Sequence, residues 1–62
     1  MEHQVAYWMM DELKGLPHIY QSTISDCFES VCHKYKVSEE EQKEIKEHCI
    51  ERVTKALNYL YA

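Results

Sequence analysis

Apolar residues recur at steps of three and four through most of this chain, with polar residues filling the intervals. In the last third, Ile45, Cys49, Val53, Ala56, Leu57 and Leu60 form one apolar stripe with charges on the remaining face. Ser38-Glu39-Glu40-Glu41 precedes that stripe as a capping box. The Ser38 hydroxyl can accept from the Glu41 backbone N–H while the Glu41 carboxylate reaches back. Three glutamates in the first turn also suit the positive end of the helix dipole. The pattern predicts a helix over 38–61, roughly 36 Å long at about 1.5 Å per residue.

Two shorter helices are predicted upstream. Tyr20, Ile24, Cys27, Phe28, Val31 and Tyr35 keep helical spacing, and Pro17 suits the first position of a helix over 17–36. A second start is open at Thr23, which makes a capping box with Asp26 and leaves 16–22 as a loop; the unbroken stripe favours the earlier one. The first helix covers 2–14, with Val5, Met9, Leu13 and Leu16 on one face. Gly15 is placed to end it in the left-handed conformation, and Leu16 to fold back over the last turn. Between Tyr35 and Ser38 only a tight turn fits, which makes the second and third helices antiparallel neighbours. The expected architecture is all-α: one domain over 1–62, an antiparallel helical hairpin with the N-terminal helix packed across it, completed by dimerisation. One Gly and one Pro in the chain argue against an all-β fold, which needs many turns.

Length sharpens the dimer expectation. A chain of 62 residues buries only about 60% of the surface its unfolded form exposes. Domains of this size commonly rely on disulfides, a metal or a second copy. Composition is otherwise globular, 45% hydrophobic and 29% charged.

Charge narrows the partner class. The net charge is −4, and no Lys/Arg stripe offers to neutralise phosphates, so direct nucleic-acid binding is not expected. Glu39, Glu40, Glu41, Glu44 and Glu47 form the one acidic cluster, interrupted by Lys43 and Lys46. It reads as a solvated helix face laced by Glu39–Lys43 and Glu51–Lys55 pairs, able to act as an electrostatic rim around a docking surface. The alternative is an acidic mimic of nucleic acid that inhibits a DNA- or RNA-binding protein. The apolar run Val5–Met10 is too short for a signal-peptide core or a membrane span, so no membrane role is expected. Three cysteines at irregular positions do not form a disulfide framework, and reduced thiols in the cytoplasm are expected.

Candidate chemistry is thin. Cys27, Cys32, His33, His48 and Cys49 are the only residues that could approach a metal set. Cys32-His33 and His48-Cys49 are adjacent pairs whose side chains diverge by about 100° on a helix. Cys27 can face Cys49 or His48 across the hairpin, which supplies two ligands where zinc wants four. No metal and no cofactor are expected; Cys27 and Cys49 read as core residues and Cys32 as a partly exposed thiol. A Cys/His thiol or metal-binding protein stays as the other alternative. Ser30 and His33 share a helix face near Glu29, but no Gly-rich loop offers an oxyanion hole. No catalytic residues and no enzyme activity are expected.

Tyr7, Trp8, Met9 and Met10 are consecutive, so on a helix they spread over more than half its circumference. Tyr59 and Tyr61 add similar side chains at the other end. Trp, Tyr and Met are enriched in interface cores and hot spots. These six residues are therefore the candidate partner-binding set. The expected function is a non-enzymatic protein–protein interaction module: a homodimeric, cytoplasmic regulator, adaptor or inhibitor, of a size class that resembles accessory proteins of phage and mobile elements.

Overall fold

A computed structural model describes residues 1–61, with side chains through Leu60, as three helices: α1 (Glu2–Leu13), α2 (Gln21–Lys34) and α3 (Glu39–Tyr61). No strand occurs among the described residues. All three helices pack against one another, within an envelope of 33 × 18 × 18 Å. The long axis is close to the roughly 34 Å expected of a 23-residue helix, so α3 sets the length of the molecule. No helix among the described residues is long and apolar enough to cross a membrane.

The periodic stripes become the core. Val5, Ala6, Met9 and Leu13 of α1 meet Ile24, Cys27, Phe28, Val31 and Cys32 of α2 and Ile45, Cys49, Val53 and Leu57 of α3. No polar or charged residue is buried with them among the described residues. The stripes also stop short of the predicted ends. Leu60 is 61% exposed, because α3 runs past the end of the layer that covers Leu57. Tyr20 is 66% exposed and lies just outside α2 as its N-cap.

The helix boundaries differ from expectation where backbone geometry overrode periodicity. Residues 17–20, predicted as the first turn of α2, are not helical; α2 starts at Gln21, between the two starts the sequence offers. Gly15 does adopt a left-handed φ of +88°. However, Lys14 before it is extended, at φ −63° and ψ 140°, and the Leu16 N–H donates to Leu13 O at 3.2 Å. The chain therefore leaves α1 outward, and Leu16 does not fold back; it is 45% exposed.

The fold-back motif expected after α1 forms after α2. Lys36 takes the left-handed φ of 56°, Val37 N–H donates to Cys32 O at 2.9 Å, and Lys36 N–H donates to His33 O at 3.4 Å. This is the Schellman pattern, and Val37 is buried as its apolar closing residue. A lysine at that φ carries a Cβ penalty that glycine lacks. Lys36→Gly is expected to stabilise the protein by about 0.5–1 kcal/mol after allowing for glycine's greater unfolded-state entropy. Urea denaturation should show a raised midpoint at unchanged slope. A lowered midpoint would mean that Lys36 does not hold this conformation.

At the start of α3 the Glu41 N–H donates to Ser38 Oγ at 3.2 Å, which is one half of the predicted capping box. The other half is not made: Glu41 Oε2 is enclosed and has no hydrogen-bond partner. Gln42 donates instead to Val37 O at 2.8 Å, tying the new helix to the preceding turn.

Candidate protein-binding surface

Consecutive residues on a helix step by about 100°, so the four expected docking residues of α1 cannot share a face. Met9 is fully buried in the core, which corrects its expected place on the surface. Val5 and Leu13 lie one turn before and after it, and all three belong to the buried stripe. Trp8 and Met10 flank that stripe, half-buried and packed against its edges. Tyr7 points away from the bundle and is 67% exposed.

Trp8 is held by a residue that sequence reasoning had assigned to the apolar stripe of α2. Its ring stacks on Tyr35, with centroids 3.8 Å apart and planes within 5°. Tyr35 is the C-cap of α2, where the chain turns, so its side chain reaches α1 without entering the core. Lys34 Nζ lies 5.5 Å from the Tyr35 centroid and 3.8 Å from Glu12 Oε1 on α1, framing the stack with one cation and one anion. Tyr35 remains 41% exposed. The result is an ordered aromatic platform, Trp8 on Tyr35, one residue from the exposed Tyr7. The sequence signal for Tyr35 was its place just before the turn, which periodicity alone does not weigh.

The remaining candidates are scattered. Tyr59 is 87% exposed on the last turns of α3, and the side chain of Tyr61 lies outside the described residues. Glu39, Glu40, Glu44 and Glu47 are exposed on α3, and Glu41 is half-buried. Lys46 reaches Glu29 of α2 at 3.9 Å, and Glu51 pairs with Lys55 at 2.9 Å. Glu39–Lys43 is not among the ion pairs of the described residues.

A polar clasp holds the start of α1 to α3. Glu2 Oε2 accepts from Arg52 at 3.2 Å, and Glu2 Oε1 lies 3.1 Å from His48 Nδ1. Partial burial pushes the Glu2 carboxyl up, but the hydrogen bonds and charges of His48 and Arg52 outweigh it and hold the group below its ordinary 4.5. A depressed carboxyl contributes stability above its unfolded pKa and loses it as pH falls through the folded value. Wild type should therefore be more stable than Glu2→Gln at pH 7, with the gap closing below about pH 4.5. Urea midpoints of the two proteins across pH check this; a gap that persists in acid contradicts the clasp.

The cysteines are placed differently from expectation. All three are free and buried, including Cys32, which was expected to be partly exposed. Cys27 faces α1 rather than Cys49: its Sγ is 3.7 Å from Met9 O and 3.9 Å from Glu12 Oε2. Cys49 Sγ is 3.5 Å from Glu2 O. Burial raises the Cys27 and Cys49 thiols to about 11, helped by Glu12 and Glu2 respectively, and burial raises Cys32 as well. Such thiols are protonated and inert at neutral pH. No group of three or more His, Cys, Asp or Glu side chains among the described residues could hold a metal ion.

These features define a small three-helix protein with an aromatic platform on its surface. Comparison with protein-family models, curated proteins and solved structures finds no match for the chain.

Proposed function

We propose that this protein is a non-enzymatic protein–protein interaction module that docks a larger protein on Tyr7, Tyr35 and the open edge of Trp8. The observation that carries this reading is the Trp8–Tyr35 stack, at 3.8 Å and nearly parallel, left accessible beside an exposed tyrosine. Aromatic side chains already fixed by stacking lose little conformational freedom on binding, and they are the residues that dominate interface energies. The α2–α3 pair is read as an antiparallel hairpin, in line with the short connection 35–38 and the Lys46–Glu29 contact. In this reading α1 completes the core, the protein is a cytoplasmic regulator, adaptor or inhibitor, and it self-associates as a homodimer. The buried, unpaired cysteines fit a reducing compartment. The exposed glutamates of α3 supply electrostatic selection at the rim.

The test uses the full chain as immobilised bait, with Tyr7→Ala and the triple reversal of Glu39, Glu40 and Glu44 to Lys as variants. Tyr7 is 67% exposed, so Tyr7→Ala should leave stability within about 0.5 kcal/mol. It should nevertheless reduce the captured partner at least about tenfold, while charge reversal changes capture only a few-fold. The opposite ranking would transfer the function to an acidic mimic of nucleic acid. Equal capture by all three baits would remove the aromatic surface from the account.

A further inference from the structure

We draw no further inference here: the strongest candidate, the cleft of about 380 Å³ that Leu16, Pro17 and Ile19 form with Thr54, Leu57 and Asn58 between the α1–α2 connection and the last turns of α3, is an open apolar end of the bundle, and nothing in the structure shows what covers it.

Discussion

Phe28→Ala is expected to abolish most of the stability of this protein. Phe28 is the largest fully buried side chain, 1% exposed, and lies in the core shared by all three helices. Truncating a buried phenylalanine costs about 3–5 kcal/mol, through lost transfer energy and the cavity left behind. A domain of this size has about 3–9 kcal/mol in all. The variant should therefore be partly unfolded at 25 °C and show a broad, early thermal transition. A loss below about 1 kcal/mol would place Phe28 outside the core.

Met9→Ala is expected to act on stability rather than on binding. Met9 is fully buried between Val5 and Leu13 on the stripe of α1, so its loss should cost about 2–5 kcal/mol. Tyr7→Ala, two residues away, should be close to neutral. Urea unfolding of the two variants side by side checks the pair. The contrast separates the inward and outward sides of α1, which the run Tyr7–Met10 leaves undivided in the sequence. Comparable losses from both substitutions would mean that α1 is docked in another rotation.

Much of the fold was legible because burial follows period. Val5, Met9 and Leu13, then Ile24, Phe28 and Val31, then Ile45, Cys49, Val53 and Leu57 were each on a predicted stripe and are each in the core. What periodicity could not supply was where a stripe stops being covered. Tyr20 and Leu60 continue their patterns, yet both lie beyond the last residue that another helix can shield. Helix ends depend on backbone geometry, and there a glycine was a misleading guide: Gly15 is left-handed without closing a fold-back motif, while Lys36 is left-handed and closes one. Val37, an apolar residue just past the end of α2, was the available signal for that motif.

The surface was less legible than the core. Tyr7 is exposed, but its three neighbours scatter, to the two flanks and to the interior, because adjacent helical residues diverge. Tyr35 joins Trp8 through a contact between α1 and the end of α2, separated by 27 positions in sequence. No local pattern encodes such a pair. The cysteines show the same limit: Cys27 was expected opposite α3 and lies against α1, since an apolar stripe says that a residue is covered and not by which helix.

The platform of Trp8 on Tyr35 carries both the packing of α1 and the proposed docking surface, so the most direct measurement is whether those rings touch within one chain. Nuclear Overhauser contacts between the Trp8 indole and the Tyr35 ring should be recorded in solution, with mixed labelled and unlabelled protein to separate contacts within a chain from contacts between chains. Strong contacts within a chain are expected, in line with a centroid distance of 3.8 Å. Contacts found only between chains, or none at all, would contradict it.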